Sequence, residues 1–224
     1  MYLALRIELD YVPWDSPDAQ DFGHGEAATL LKLLDLARTT GFKYHFFASN
    51  RVLRAFPANA EAVLNEGHEL DWFCKHPEDA AARADESYRL FANLGHTAWG
   101  FCIRGAWQES YPSDWARRFR FMSANVGPSP PFLRHFPVES KPDREAVRTG
   151  VSARAWVDGL KLQVRDAASR NRGVTICVRP QVLAKYDARL SFLREILELS
   201  QAVGLPNRTF REMLGPDPRD LEGR

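Results

Sequence analysis

Five ionisable residues near the ends of predicted strands have the types and spacing to do chemistry together. Glu8 and Asp10 are two residues apart on the first strand, and His45, Asp71 and Arg104 fall on the second, third and fourth. Successive side chains alternate between the two faces of a strand, so all five can point into one interior. Buried charges are tolerated when they are paired or bound to a metal, so this set predicts a polar site.

Two interpretations of this set need no metal. The first is an interior network of salt bridges, in which the carboxylates pair with Arg104 and Arg179. The second is a polar pocket that binds a sugar or another small molecule.

A third interpretation is a site for a divalent metal, zinc or a similar ion. His45, Asp71 and His76 would be its ligands beside Asp10, because imidazole and carboxylate groups suit such ions. His76 follows the third predicted strand rather than lying within it.

The stretch from residue 67 to 79 is the central element that must position these groups. A helical pattern ends on Gly67, a strand pattern follows through the low 70s, and Pro77 stops it. Its polar side chains would therefore be delivered at the carboxyl end of a strand, which is where α/β proteins carry their chemistry.

Strand and helix patterns alternate along most of the chain. Strands are predicted at 2–12, 43–48, the low 70s, 97–104 and 174–178, with helices between them and a strong helix after the last. Such alternation implies right-handed crossovers and a parallel sheet, open or closed into a barrel.

One domain is expected over residues 1–214, followed by a polar tail at 215–224. The alternation breaks between about 105 and 148, where aromatic residues are interleaved with prolines. This segment is either a long ordered excursion or a system of functional loops.

The charge balance favours neither nucleic acid nor an anionic membrane as a partner. The 224 residues include 30 Lys and Arg against 29 Asp and Glu, a net charge of +1. No stretch approaches the roughly 18 apolar residues of a membrane span.

The cysteines argue against a disulfide scaffold or a structural zinc site. They are three in number, far apart and without CxxC spacing, which fits a cytoplasmic location. Cys102 could be a nucleophile beside a base, although a buried structural cysteine is the favoured interpretation.

Four local motifs occur in the order found in one known family. Residues 41–47 (GFKYHFF) resemble its Gly-x-Lys-Ala-Thr-Phe-Phe motif, and residues 67–70 (GHEL) resemble its Gly-His-Glu-Ile motif. Residues 100–104 resemble the strand that carries its arginine, and residues 178–180 (VRP) resemble its His-Pro strand. The chain thus resembles the polysaccharide deacetylases of the NodB-homology type, carbohydrate esterase family 4, outside about 105–150.

The resemblance implies a distorted (β/α) barrel with parallel strands and a metal-dependent hydrolysis of an amide. It also implies that Asp10 is the catalytic base and that Arg104 orients it.

The metal motifs of that family are degenerate in this chain. Tyr11 stands at the position of its metal-binding aspartate, and Phe73 and Pro77 stand at those of its two metal-binding histidines. Arg179 stands at the position of its general acid and, being always protonated, is expected to bind substrate rather than to exchange protons.

Tryptophans near the predicted mouth have two interpretations. Trp14, Trp72 and Trp107 could form stacking walls for sugar rings, or they could pack in the core.

The predicted function is hydrolysis of an N-acyl, non-peptide carbon–nitrogen bond on a carbohydrate or related small molecule. The alternative is a catalytically inactive protein of the same fold that binds a carbohydrate or acts as an accessory domain.

Overall fold

The computed structural model describes residues 1–11 and 25–215 of the chain. Trp14 and nearly all of the predicted polar tail therefore lie outside the described residues.

Seven parallel strands form one sheet that curves into a nearly closed barrel. They are β1 (Tyr2–Leu9), β2 (His45–Ala48), β3 (Glu69–Phe73), β4 (Gly100–Cys102), β5 (Phe121–Asn125), β6 (Arg134–Val138) and β7 (Gly173–Val178). Their order is β6-β5-β4-β3-β2-β1-β7, and every neighbouring pair is parallel. The edge strands β6 and β7 lie against each other without being paired in the described sheet. The predicted distorted (β/α) barrel is confirmed.

Helices cover the outside of this barrel. They are α1 (Glu26–Thr40), α2 (Asn50–Ala55), α3 (Pro57–Asn65), α4 (Ala81–Asn93), α5 (Asp143–Arg148), α6 (Ala153–Ser169), α7 (Pro180–Tyr186), α8 (Ser191–Ala202) and α9 (Phe210–Leu214). Ser49 caps α2 and Ser152 caps α6 by accepting hydrogen bonds from backbone amides in the first turn. Within residues 1–11 and 25–215 we find no helix with the length and apolar character needed to cross a membrane.

The alternation along β1 separates two different buried faces. Leu3, Leu5 and Ile7 point outward into the core formed with the helices, whereas Arg6 and Glu8 point into the barrel. All five are at most 2% exposed. The interior charges are tolerated because they pair with one another across the barrel.

The segment from 105 to 148 supplies two strands of the barrel, β5 and β6. The sequence pattern missed both, because prolines and aromatic residues in the surrounding segment interrupt the alternation of apolar and polar residues. Trp107, Trp115 and Phe119, which precede β5, pack with Phe101 of β4. The segment is therefore largely barrel wall and core.

Helix α9 plugs the end of the barrel at which the strands begin. Phe210 packs among Phe47, Phe121 and Phe136 in the interior. Thr209 begins α9 with a capping box, in which its hydroxyl accepts from an amide of the helix and its own amide donates to a glutamate. The carboxyl ends of the strands are therefore the end that a ligand can approach.

Candidate site at the barrel mouth

Asp10 lies at the barrel mouth in contact with cations from two other strand ends. It follows β1 directly, and its Oδ2 is 3.0 Å from Nζ of Lys75 and 3.4 Å from Nη2 of Arg104. Lys75 follows β3 and Arg104 follows β4. The ends of parallel strands meet at one edge of the sheet, so these side chains converge although they are far apart in sequence.

A cavity of about 220 Å³ opens beside Asp10. It lies between the ends of β1, β2 and β3, and Asn50, Lys75 and His76 help to line it. The Asp10 side chain is only 5% exposed, whereas Lys75 is 36% exposed. The carboxylate is thus held in the wall of the cavity, with a partly solvated ammonium beside it.

Glu8 anchors the charge network below Asp10. Its carboxylate is 2.7 Å from Nε of Arg179, 2.6 Å from Nη2 of Arg6 and 3.5 Å from Nε of Arg104. Burial opposes ionisation, but the positive charges of these arginines outweigh it and hold the pKa of Glu8 well below its usual range. Glu8 and Asp10 thus share Arg104, and the predicted interior network of salt bridges is present.

Arg179 is engaged by the protein on two sides. Besides Glu8, it contacts Asp143, to which its backbone amide donates at 2.7 Å and its Nη1 at 3.0 Å. Burial raises the pKa of Asp143 to about 6, and the charge of Arg179 offsets this only in part. The Arg179 side chain is 8% exposed, so a substrate could reach no more than its edge.

His45 and Asp71 form a separate cluster at the plugged end. His45 Nε2 is 2.8 Å from Asp71 Oδ2, and neither side chain is exposed. The backbone amide of Phe210 donates to His45 Nδ1, and Arg211 binds Asp71 at 3.0 Å. Burial lowers the pKa of His45, which Asp71 opposes only in part. The carboxyl of Asp71 is also buried, but the charges of Arg211 and His45 prevail and lower its pKa. This cluster joins α9 to the barrel.

The predicted metal ligands do not fit one divalent ion. His76 lies at the mouth, 45% exposed, with its Nδ1 3.2 Å from Glu78. The backbone amide of Ser49 donates to the carbonyl oxygen of Leu9, which directly precedes Asp10, so Ser49 marks the level of the mouth. His45 is four residues before Ser49 on an extended strand, and at ~3.3 Å per residue it lies about 13 Å below the mouth. In the described ranges no three His, Cys, Asp or Glu side chains are grouped to hold a metal.

Two of the three motif positions that lack metal-binding side chains, Tyr11 and Phe73, have structural contacts instead. Tyr11 accepts a hydrogen bond from Asn59 at 2.6 Å, and burial raises its pKa to about 12, so it stays a neutral phenol. The ring of Phe73 lies 4.9 Å from the guanidinium carbon of Arg104. Both residues therefore support the mouth by packing.

The predicted stacking tryptophans are buried where they are described. Trp72 is 1% exposed, touches the cavity and donates to Asn50 at 2.7 Å. Trp107 is 4% exposed and packs against Trp115.

Sequence patterns did not single out three cations that line the cavity. They are Lys75, Arg51 and Arg83, and by residue type and spacing alone each resembles an ordinary solvated surface cation. Lys75 lies two residues after Phe73, so its position at a strand end was a usable signal. Arg51 and Arg83 lie in the helices after β2 and β3, where sequence alone does not say which side chains face the mouth.

The sequence matches no protein-family model and no curated protein. The structure, however, resembles solved structures over nearly its whole length. A structure of PuuE allantoinase has a TM-score of 0.69 and 14% identity, with coverage of 95% of this chain and 88% of that one. A family 4 carbohydrate esterase from Streptomyces lividans, in complex with acetate, has a TM-score of 0.59 and 16% identity, with coverage of 96% and 98%.

A pseudoenzyme of the same esterase family, from Bacillus anthracis, is also similar. Its TM-score is 0.60 at 10% identity, and the alignment covers 95% of this chain and 65% of that one. The family resemblance predicted from the motifs is therefore confirmed at the level of architecture: this chain has the fold of the polysaccharide deacetylases and family 4 carbohydrate esterases.

Proposed function

We propose that the protein hydrolyses an N-acyl bond of a carbohydrate or related small molecule at the barrel mouth. The observation that carries this proposal is the position of Asp10, a carboxylate held by Lys75 and Arg104 in the wall of a cavity. The substrate would enter that cavity with its amide next to the carboxylate.

Asp10 acts as the general base in this mechanism. It takes a proton from a water molecule, whose oxygen attacks the amide carbonyl carbon. Arg104 holds the carboxylate in place, since it is itself fixed by Glu8. Lys75 offers a positive charge to the carbonyl oxygen as it becomes an oxyanion.

The leaving amine needs a proton when the carbon–nitrogen bond breaks. Arg179 cannot supply it, because a guanidinium stays protonated. His76 lines the same cavity, and histidine exchanges protons near neutral pH. His76 therefore donates the proton, and the products are a carboxylic acid and a free amine.

No step passes through a metal ion, because the described residues near Asp10 do not provide a ligand set for one. The positions that correspond to the family's metal ligands hold Tyr11, Phe73 and Pro77. The positive charges nearest to Asp10 are those of the Lys75 and Arg104 side chains. In this mechanism Lys75 provides the positive charge that a metal would otherwise supply.

The folds of the similar proteins support an amide or acyl substrate. One is named an allantoinase and another a carbohydrate esterase with bound acetate.

The three cysteines are buried and free, which supports the cytoplasmic location expected from the sequence.

The test is an assay of acid and amine release from N-acetylglucosamine oligomers and small cyclic ureides, with a chelator present throughout. Hydrolysis of at least one substrate is expected, and Asp10→Asn should lower kcat by about 100-fold or more. Asp35→Asn, on the exposed side of α1, is the matched control. Absence of turnover on the whole panel, or activity that disappears with chelator and returns with zinc, would contradict the mechanism.

The second candidate is a carbohydrate-binding protein without catalysis. It is favoured by the arginine at position 179, where the resembled family has its general acid, and by the similarity to a pseudoenzyme. This alternative predicts calorimetric binding of sugars that persists in Asp10→Asn and in chelator, with no turnover by the wild type. Turnover that depends on Asp10 excludes it.

A further inference from the structure

The cavity beside Asp10 carries an excess of positive charge. Among the residues that the structure describes, four cations line it, against two carboxylates, Asp10 and Glu86. Both carboxylates are already paired. Asp10 contacts Lys75 and Arg104. Glu86 lies 3.2 Å from Nε of Arg54 and accepts a hydrogen bond from the side-chain amide of Asn50. The excess positive charge therefore comes from the cavity cations that pair with neither carboxylate.

Arg51 and Arg83 are the cations that remain. Arg51 lies in the first turn of α2, after β2, and Arg83 lies in the first turn of α4, after β3. Both line the cavity, and neither guanidinium forms a hydrogen bond or an ion pair with any residue in the ranges 1–11 and 25–215. A hydrogen bond to its own backbone is the main cause of the lowered pKa of Glu78, and the charge of Arg83 adds only a small part without an ion pair between the two side chains. Two helices thus present to one cavity guanidinium groups that pair with none of the described side chains.

We propose that the mouth cavity binds a ligand through an oxyanion group, a carboxylate or a phosphate, held by Arg51 and Arg83. A guanidinium offers parallel N–H donors that match the paired oxygens of either group. Lys75 adds positive charge at the inner side, while Asp10 faces the remainder of the ligand. The proposal deepens the proposed function by naming acidic substrates, such as acylated acidic sugars, although the binding itself requires no turnover.

The size of the cavity favours a small ligand. Pockets for drug-sized ligands usually measure roughly 300–1,000 Å³, and this cavity measures about 220 Å³. One acidic sugar unit is the natural occupant, with any further chain extending over the open side.

The experiment is isothermal titration calorimetry at low ionic strength with three probes. N-acetylneuraminate carries a carboxylate, glucose 6-phosphate carries a phosphate, and N-acetylglucosamine is neutral. At least one acidic probe should bind at least tenfold more tightly than the neutral one. The stronger of the two acidic probes identifies the oxyanion.

Three variants assign the binding to the cavity. Arg51→Gln and Arg83→Gln should each weaken the acidic probe by about tenfold or more, since hydrogen bonds to charged groups contribute on that scale. Arg165→Gln is the matched control, because Arg165 is exposed on α6, a helix that contributes no residue to the cavity. This change should leave the affinity for the acidic probe unaltered. Thermal unfolding of every variant verifies that the fold is retained.

Asp10→Asn separates this proposal from the proposed function. Removal of a negative charge from the cavity should leave binding of the acidic probe unchanged or tighter, even though the same change lowers kcat by about 100-fold or more. The proposal would be overturned by equal binding of neutral and acidic probes or by no binding of either acidic probe. It would also be overturned if Arg51→Gln and Arg83→Gln left the affinity for the acidic probe unchanged.

Discussion

The ammonium nitrogen of Lys75 lies 3.0 Å from Oδ2 of Asp10, which joins the end of the third strand to the end of the first. In the resembled family the base is followed by a metal-binding aspartate, and here it is followed by Tyr11. A side-chain cation therefore stands next to the carboxylate, and both the chemistry and the stability of the barrel should depend on such pairs.

Replacement of Lys75 by methionine should lower kcat by about 100-fold, because the developing oxyanion loses its cation. The free energy of unfolding should change by no more than about 1 kcal/mol, since the lysine is 36% exposed and solvent screens the pair. Steady-state kinetics and urea unfolding measure the two effects. Lys43→Met, at another exposed lysine, is the control. An unchanged kcat with a raised KM would assign Lys75 to binding alone.

Replacement of Glu8 by glutamine should destabilise the fold by about 3–5 kcal/mol, because it leaves buried arginines without a counter-charge. The pKa of Glu8 is lowered in the folded protein, so its contribution is present above the unfolded value near 4.3 and decreases as pH falls below it. Urea unfolding at pH 7 and pH 3 measures both statements. Glu198→Gln, on an exposed face of α8, should cost less than about 0.5 kcal/mol. A loss below 1 kcal/mol at pH 7 for Glu8→Gln would show that the network adds little stability.

The stability difference between wild type and Asp143→Asn should depend on pH in the opposite sense. Burial raises the pKa of Asp143 to about 6 in the folded state, above the unfolded value near 3.9, so the folded state binds the proton more tightly. The contribution of this carboxyl is complete below about pH 4 and decreases as pH rises to about 6. Wild type should therefore lose stability relative to the variant over that range.

Urea unfolding of both proteins at pH 4, 5, 6 and 7 measures this slope. Asp158→Asn, an exposed aspartate of α6, supplies a reference that should show no such trend. A wild-type advantage that grows as pH rises would contradict the raised pKa of Asp143.

Replacement of Arg211 by methionine should destabilise the protein by about 3 kcal/mol, because Asp71 keeps a buried charge beside His45 without its main cation. Activity per folded molecule should stay the same, since this cluster lies at the plugged end of the barrel. Kinetics below the unfolding transition, with Arg208→Met as an exposed control, separate the two outcomes. A large loss of kcat in folded Arg211→Met would place functional groups at this end instead.

The sequence by itself indicated parallel strands with helical crossovers and the direction of the inward side chains, whereas closure into a barrel was expected only from the family resemblance. Period-two alternation in β1 and the helix ends at Gly41 and Gly67 were sufficient for parallel strands with helical crossovers. The same alternation, with the motif around Arg104, predicted that Arg104 meets Asp10, and the two lie 3.4 Å apart. The strands β5 and β6 were missed, since the prolines and aromatic residues of the segment around them obscure any period.

Only the tertiary structure decided the height of each side chain along the barrel. Alternation assigns a face to a residue, but its height depends on the register between strands, which is set by packing and hydrogen bonds over the whole sheet. His45 pairs in register with Arg6, whereas Asp10 lies beyond the pair of Leu9 with Ala48. His45 therefore reaches the plugged end with Asp71, while Lys75, just beyond the end of β3, reaches Asp10 at the mouth.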